Sequence, residues 1–219
     1  MESIIIYTDI VNYSEKGIKI QNRLKDLVDR SIYYFLPESI FDRTEGKPYF
    51  ENTGDGFLLI LPADEHDRFP AILSLVFSLT LAAKVIEHGH LIRIGIHCGD
   101  VARHYNFMNK EQIRGYDVVI GRRILDTGTN GHILCSTTYK QKLVNEIGHA
   151  SVNDSGKQIK VNFNSHNLAL NDIDLPLIIE KDPIVEYIWY QSHIIIESIG
   201  KYRDKHGNLI DLCNIYNKI

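Results

Sequence analysis

The sequence has few cysteines and no excess of positive charge, and each absence excludes a class of protein. Only three of its 219 residues are cysteine, and none of them forms a C-x-x-C pair. A disulfide framework or a zinc site is therefore not expected, and a reducing compartment fits. The formal net charge is -4. It argues against non-specific binding to nucleic acid or to an anionic membrane, because both require a basic surface.

A leader peptide and a membrane anchor are also missing from the pattern. Met1 is followed directly by the run Ser3–Tyr7, without a basic segment or an apolar stretch of signal length. The longest mostly apolar stretch spans 69–86, and it is interrupted by Ser74, Ser78, Thr80 and Lys84. We predict a buried helix there, not a membrane span. We therefore expect a cytoplasmic protein without a fused sensor domain.

What is present is an alternation of apolar runs with strand and helix character. Strands are predicted at 4–8, 48–52, 57–61, 91–98, 131–135 and 183–197. Helices are predicted at 14–35, 64–88, 116–125 and 137–147, the first with Ser14 as its N-cap. Polar and aromatic residues at 102–114 predict a loop or arm, and residues 206–208 predict the turn of a last hairpin.

This order of elements predicts an α+β fold. Strand, helix, hairpin, helix, strand is the ferredoxin-like split pattern, with helices on one face of an antiparallel sheet. The length fits one domain with additions. Residues 1–150 form the predicted core. Residues 151–219 are expected to complete the same domain and not to form an independent one.

Two aspartates, Asp9 and Asp55, end or border apolar strands. Each alone is typical of a turn or a cap. On adjacent central strands their carboxylates would face each other and repel unless a cation lies between them. Mg²⁺ is commonly bound through one or two carboxylates together with substrate phosphates. The pair therefore indicates a divalent-cation site for phosphoryl chemistry.

Four segments, taken in order, resemble the catalytic domain of class III adenylate and guanylate cyclases. They are YTDIVNYS at 7–14, NTGDGF at 52–57, IRIGIHCGDV at 92–101, and the segment 118–136. Each is weak alone, but together they cover roughly residues 3–145 in the family's order. The resemblance implies a βααββαβ catalytic domain that converts a nucleoside triphosphate to its 3′,5′-cyclic monophosphate and pyrophosphate.

The resemblance also implies roles for individual residues. Two Mg²⁺ or Mn²⁺ ions would be held by Asp9, Asp55 and the backbone carbonyl of Ile10. Phosphates would be cradled by backbone N–H groups at a helix start, those of Val11, Asn12, Tyr13 and Ser14.

Basic residues complete the implied site. Arg93 matches the family's phosphate-binding arginine, and Lys181 lies near its late phosphate-binding lysine. Arg123 matches the arginine that stabilises charge on the transferring phosphate, although the neighbouring Arg122 could take that role. In this family one subunit brings the carboxylates and the other the arginine and base-reading residues. A chain with both sets implies a two-fold homodimer with two sites.

The base-reading positions depart from the adenylate pattern. Glu51 stands where adenylate cyclases have a lysine, and a carboxylate can only accept hydrogen bonds, which argues against ATP. Guanine, uracil and cytosine all offer N–H donors to it. Gln112 occupies the second base-reading position, where it can donate and accept. Val119 replaces the family's ribose-orienting asparagine.

Tyr49 and Phe50 precede Glu51, and strand alternation places them on opposite faces. An aromatic ring in the base pocket would favour a one-ring pyrimidine over a purine. These departures resemble the stand-alone bacterial pyrimidine cyclases of antiphage (Pycsar) systems, whose cyclic UMP or cyclic CMP signals to a separate effector. UTP is favoured, because Glu51 can accept from uracil N3–H and Gln112 can donate to a carbonyl oxygen, with CTP next.

Two alternatives stay open. The first is a guanylate cyclase, since guanylate enzymes also carry glutamate at the position of Glu51. The second is a degenerate cyclase-like domain that only binds nucleotide or a partner.

Three histidines have no ligand spacing with one another and are not expected to bind zinc: His97, His104 and His132.

Overall fold

An eight-stranded sheet organises the part of the chain that the computed structural model describes. That part comprises residues 1–36, 47–63, 69–148, 157–161, 163, 182–190, 193–204 and 207–217. The strands are β1 (Glu2–Ile10), β2 (Tyr49–Asn52), β3 (Phe57–Pro62), β4 (Ile92–Asp100), β5 (Ala102–Tyr105), β6 (Glu111–Arg114), β7 (Ile133–Ser136), β8 (Gln158–Val161), β9 (Ile194–Arg203) and β10 (Leu209–Asn217). The main sheet has the order β2-β3-β1-β4-β7-β10-β9-β8, and β5 and β6 form a separate hairpin.

Five helices lie in the described residues. They are α1 (Ile18–Phe35), α2 (Pro70–Glu87), α3 (Tyr116–Thr127), α4 (Thr137–Ile147) and α5 (Pro183–Tyr190). The last is the shortest, with eight residues. The predicted α+β class is confirmed.

Helices cover both faces of the sheet, which differs from the prediction of one covered face. Ile4 and Ile6 of β1 belong to a large core shared with α1, α2, α4 and α5, whereas Ile5 points to the opposite face, toward α3. The sheet is also not wholly antiparallel, because β4 and β7 run parallel. Both differences have one cause. The connection β4–α3–β7 is a crossover, and a crossover returns the chain in the same direction.

Two glycines let α3 approach the sheet closely. A Cβ on Gly95 of β4 would lie 2.6 Å from the backbone nitrogen of Leu125. A Cβ on Gly121 of α3 would lie 2.9 Å from Cγ2 of Ile5. The helix therefore rests on β1 and β4, the strands that carry the predicted site residues.

Several predicted boundaries are wrong. α1 begins at Ile18 with Gly17 as its N-cap, and Ser14 lies in a separate 3₁₀ turn, Tyr13–Glu15. Residues 183–190 form helix α5 and not a strand, because their buried residues lie on one helical face, at Val185, Ile188 and Trp189. The predicted arm at 102–114 is a two-stranded hairpin. The predicted last hairpin is confirmed by the antiparallel pairing of β9 and β10.

Helix α2 is long and apolar enough to cross a membrane by composition alone. Two-thirds of its most apolar window is nevertheless buried inside the protein. Ser74 is fully buried, and its hydroxyl lies 3.0 Å from the hydroxyl of Tyr139 on α4. The prediction of a buried core helix is therefore confirmed.

The N-terminus of α2 is capped by a carboxylate from another helix. Glu146, in the last turn of α4, accepts from the backbone nitrogen of Ala71 at 2.9 Å and from that of Ile72 at 3.0 Å. These are N–H groups that the helix itself leaves without partners. Burial raises the pKa of Glu146 to about 7, although the two N–H groups and Lys142 act in the opposite direction.

This raised pKa predicts a loss of stability with rising pH. The folded protein holds the Glu146 proton up to about pH 7, whereas the unfolded chain releases it near 4.5. The contribution is complete below pH 4.5 and is lost as the pH rises to about 7, a loss of about 3 kcal/mol. We expect Glu146→Gln to lack this loss. Urea midpoints at pH 4.5 and 8 measure it, with exposed Glu87→Gln on α2 as the control. An equally steep decline in Glu146→Gln would contradict the assignment.

Candidate active site

Asp9 and Arg93 form a cross-strand pair at the centre of the sheet. They lie directly opposite each other on β1 and β4. Nε of Arg93 donates to Oδ2 of Asp9 at 2.8 Å, and Nη2 of Arg93 bonds the same oxygen. Asp9 is only 5% exposed. A buried carboxylate requires such a partner, and both side chains are thereby fixed on the face of the sheet that α3 covers.

Asp55 lies in the turn between β2 and β3, next to the end of β1. Its backbone carbonyl accepts from the nitrogen of Ile10 at 2.8 Å. The pKa of Asp55 is raised by partial burial first, and then by a side-chain hydrogen bond with Asp9 and the negative charge of Asp9. The two carboxyl groups are therefore adjacent. Two carboxylates this close repel each other unless a cation lies between them.

Two contacts hold this turn against β1. Gly56 packs so closely that a Cβ there would lie 1.9 Å from the carbonyl oxygen of Thr8. The hydroxyl of Thr8 accepts from the nitrogen of Phe57 at 3.1 Å. Gly54 has φ +98°, a left-handed value that glycine adopts readily. The G-D-G sequence thus places the carboxyl of Asp55 beside that of Asp9.

The donor set at this end of the sheet suits a hard cation. Among the described residues, no three His, Cys, Asp or Glu side chains cluster as a metal site. Two carboxylates with a nearby backbone carbonyl are nonetheless the kind of set that binds Mg²⁺ or Mn²⁺, with the remaining ligands from water and phosphate. Asp9, Asp55 and Ile10 therefore fit the metals that the sequence implies.

The segment after β1 leaves backbone donors available. The nitrogen of Val11 donates to the carbonyl of Leu91 at 2.9 Å. Asn12 has φ +55°, and the 3₁₀ turn follows it. Within the described part of the chain, the N–H groups of Asn12, Tyr13 and Ser14 have no acceptor. The predicted cradle thus comprises three N–H groups at a 3₁₀ turn, not four at the start of α1.

Tyr49 and Glu51 share one face of β2. The Tyr49 hydroxyl donates to Oε2 of Glu51 at 2.9 Å, and its ring packs beside Ile5 and its neighbours on the α3 side of the sheet. Burial, and then the hydrogen bond to Glu51, raises the pKa of Tyr49 to about 12. Phe50 lies on the other face, where its ring centroid is 5.6 Å from that of Phe57. Tyr49 and not Phe50 is therefore the aromatic neighbour of Glu51.

Gln112 lies on the β5–β6 hairpin. Its side-chain oxygen accepts from Arg114 at 3.2 Å. The hairpin is tied to the rest of the protein by Arg103, which bonds Glu111 at 2.8 Å and also donates to the backbone carbonyl of Lys47. The hairpin that carries Gln112 is thus fastened just before β2, the strand of Glu51.

The two arginines of α3 have different partners. Arg123 forms an ion pair with Asp204 at the end of β9, and both side chains are largely buried. Arg122 lies over the ring of Tyr7, 5.9 Å from its centroid, and pairs with Asp126 at 3.2 Å. Neither Asp204 nor Tyr7 was singled out from the sequence.

Of two further predicted positions, the structure describes only Val119. Val119 is 45% exposed on α3, one helical turn before Arg123. Lys181 lies outside the described residues. Burial is the main influence on the pKa of Asp55 and raises it, whereas the positive charge of Arg122 in the same subunit acts to lower it.

Comparison with solved structures identifies the architecture. The guanylate cyclase domain of RhGC from Catenaria anguillulae, in complex with GTP, is similar with a TM-score of 0.60 and 15% identity over 100% of this chain and 97% of that one. The adenylyl cyclase CyaB from P. aeruginosa has a TM-score of 0.59 and 13% identity, with coverage of 100% and 95%. An adenylate/guanylate cyclase/hydrolase from Silicibacter pomeroyi has a TM-score of 0.57 and 17% identity, with coverage of 100% and 98%.

Sequence comparison adds nothing to this. No protein-family model matches the chain, and no curated protein matches it. The similarity to solved structures is therefore one of fold, and it extends over nearly the whole length of each solved domain. The chain has the fold of the class III adenylyl and guanylyl cyclase catalytic domains.

Proposed function

We propose that this protein is a nucleotidyl cyclase, which converts a nucleoside triphosphate to its 3′,5′-cyclic monophosphate and pyrophosphate. The observation that carries the proposal is the adjacent pair of carboxyls, Asp9 and Asp55, on a sheet with the cyclase fold. Arg93 lies at the same site, where its side chain donates a hydrogen bond to Asp9. Without that acidic pair, the sheet would lack the carboxylates that hold the cations of a metal-bound triphosphate.

Different residues of the chain have different roles in the proposed cyclisation. Two Mg²⁺ or Mn²⁺ ions bound by Asp9, Asp55 and the Ile10 carbonyl would lower the pKa of the ribose 3′-hydroxyl and neutralise the triphosphate. The N–H groups from Asn12 to Ser14 bind phosphate oxygens. Arg93 holds Asp9 in place and retains further N–H donors for phosphate. The attack is intramolecular and in line, so positioning supplies much of the rate, and no protein nucleophile is needed.

Each active site is proposed to lie between two copies of the chain. Asp9, Asp55 and Arg93 come from one copy, and Arg123, near the exposed position Val119, comes from the other. A chain that carries both sets then forms a two-fold homodimer with two sites. Arg122 remains the alternative arginine, and it would act within its own subunit.

The base is proposed to be a pyrimidine, with UTP favoured and CTP next. The Tyr49 hydroxyl occupies Oε2 of Glu51, which leaves Oε1 to accept from a base N–H. The Tyr49 ring lies on the same face and reduces the room beside Glu51. A one-ring base needs less of that room than a purine. Gln112 can supply a donor to a base carbonyl. The cyclic product is then proposed to signal in the cytoplasm to a separate effector in antiphage defence.

Incubation of the purified protein with each of the four ribonucleoside triphosphates and Mn²⁺ or Mg²⁺ tests the proposal. We expect cyclic UMP with pyrophosphate, or cyclic CMP at a lower rate, detected by chromatography and mass spectrometry. Cyclic GMP as the main product would establish the guanylate alternative, which Glu51 and the likeness to a GTP-bound cyclase domain favour. Nucleotide binding without any cyclic product would instead establish the degenerate domain.

Glu51→Lys tests the base assignment separately. A lysine at this position donates where the carboxylate accepts, so the preferred triphosphate is expected to lose about 10- to 100-fold in kcat/KM relative to the other three. Metal dependence should stay unchanged, because Asp9 and Asp55 are untouched. Glu87→Lys, the same change at an exposed site on α2, is the control. An unchanged ranking of the four substrates would remove Glu51 from base selection.

A further inference from the structure

Asp204 is a buried acid that no part of the proposed reaction yet uses. It directly follows the last residue of β9, and only 3% of its side chain is exposed. Its carboxylate accepts from the backbone nitrogen of Asn208 at 2.9 Å and from the side-chain nitrogen of Asn208 at 3.0 Å. Gly207 donates to its carbonyl at 3.0 Å. The two hydrogen bonds from Asn208 thus hold the carboxylate in one orientation.

Arg123 is a cation that faces this carboxylate. Nη1 of Arg123 contacts Oδ2 of Asp204, and the arginine side chain is only 17% exposed. The helix face that carries Arg123 is packed against the same hairpin, since Ile120 and Ile124 contact Ile210 and Leu212. Both residues of the ion pair are therefore attached to backbone segments that pack against each other.

The pair differs from the neighbouring one on the same helix. Arg122 and Asp126 are four residues apart, and their side chains are 43% and 55% exposed. Exposed pairs of this kind contribute little, because solvent screens them. A buried pair is held much more firmly, since separating it leaves a charge without compensation. An arginine otherwise has many rotamers, so the Asp204 contact selects one of them.

We infer that Asp204 is a positioning residue, which orients Arg123 toward the phosphate that reacts. This rests on the proposed function and on the role of Arg123 in it. A guanidinium has five N–H donors, and contact at one nitrogen leaves the others for a phosphate oxygen. Preorganised donors stabilise a transition state without reorganising during the reaction. The hairpin β9–β10, remote in sequence from the acidic pair, then belongs to the catalytic apparatus.

Asp204→Asn tests the inference, because asparagine keeps the size and can still accept from Asn208 while it removes the charge. We expect kcat to fall about 10- to 100-fold, with KM for the triphosphate within about threefold of wild type. Asp204→Glu restores the charge and should recover part of kcat. Asp211→Asn, the same change at an exposed site on β10, is the control and should retain wild-type kcat.

A double-mutant cycle separates positioning from a merely structural role. In an Arg123→Gln background, Asp204→Asn should lower kcat no further, because the residue through which it acts is already changed. An equal loss in both backgrounds, or unchanged kcat in Asp204→Asn alone, would overturn the inference. Thermal unfolding of each variant is measured alongside. Full kcat in Arg123→Gln would instead refute the role proposed for Arg123, and the inference with it.

Discussion

Replacing Asp55 with alanine is expected to lower turnover on the order of 1,000-fold or more, because it removes one of two carboxylates that bind the metals. Stability should not fall. Asp55 is exposed in its turn, and its carboxylate lies beside the like charge of Asp9. Removing it therefore relieves repulsion in the metal-free protein. Cyclic product formation and the thermal midpoint of Asp55→Ala measure the two effects independently.

Asp26→Ala is the matched control for this change. Asp26 is an exposed aspartate on α1, outside the acidic pair, and its removal should leave turnover within about twofold of wild type. Asp9→Ala would be a poorer test, since it also removes the carboxylate that pairs with Arg93. Retention of a tenth or more of wild-type turnover in Asp55→Ala would contradict the metal role.

Gly56→Ala is expected to impair both the fold and the activity. The added Cβ would lie 1.9 Å from the carbonyl oxygen of Thr8, which is backbone and cannot rotate away. The turn must then move from β1, and the Asp55 carboxyl moves with it. We expect a loss of about 3 kcal/mol in the free energy of unfolding, the upper end for overpacking. Urea denaturation measures this loss, and residual turnover shows the displacement of Asp55.

Gly54→Ala provides the comparison within the same turn. A Cβ at Gly54 would meet no atom within 4 Å, but φ +98° strains any residue with a side chain. The expected cost is about 1 kcal/mol, with the carboxyls of Asp9 and Asp55 still adjacent. Equal destabilisation by the two substitutions would show that backbone strain, and not the contact with Thr8, governs this turn.

The sequence predicts elements well where local signals agree. Thr137–Ile147 is helical as predicted, and Ser136 caps it by accepting from the nitrogen of Tyr139. Prediction from the sequence fails where tertiary contacts determine the secondary structure of a segment. The aromatic run at Tyr187–Tyr190 has strand propensity, yet Trp189 is fully buried and stacks on Phe163 with ring centroids 4.4 Å apart. That contact lies between segments far apart in sequence, so no local pattern reports it.

The candidate site likewise has a part that the sequence predicts and a part that depends on tertiary contacts. The motifs around Asp9 and Asp55 are readable, because strand ends and the G-D-G turn are local features. The pairing of Asp9 with Arg93 depends on the register of β1 against β4, and register is set by the packed sheet. The contact of Arg123 with Asp204 joins helix α3 to the residue that follows β9, and the two lie far apart in sequence. Only coordinates reveal such a pair.

The position of β10 has a consequence for synthesis on the ribosome. β1 to β4 and β7 all end before residue 137, and they supply five of the eight strands of the main sheet. Together with the turn between β2 and β3 they also supply the acidic pair. β10 lies between β7 and β9 and, of the strands in the described residues, it emerges last. Until it does, the nascent polypeptide presents the open edge of β7, which can pair with another chain. Translation of β10 therefore ends the period in which this edge of β7 is open.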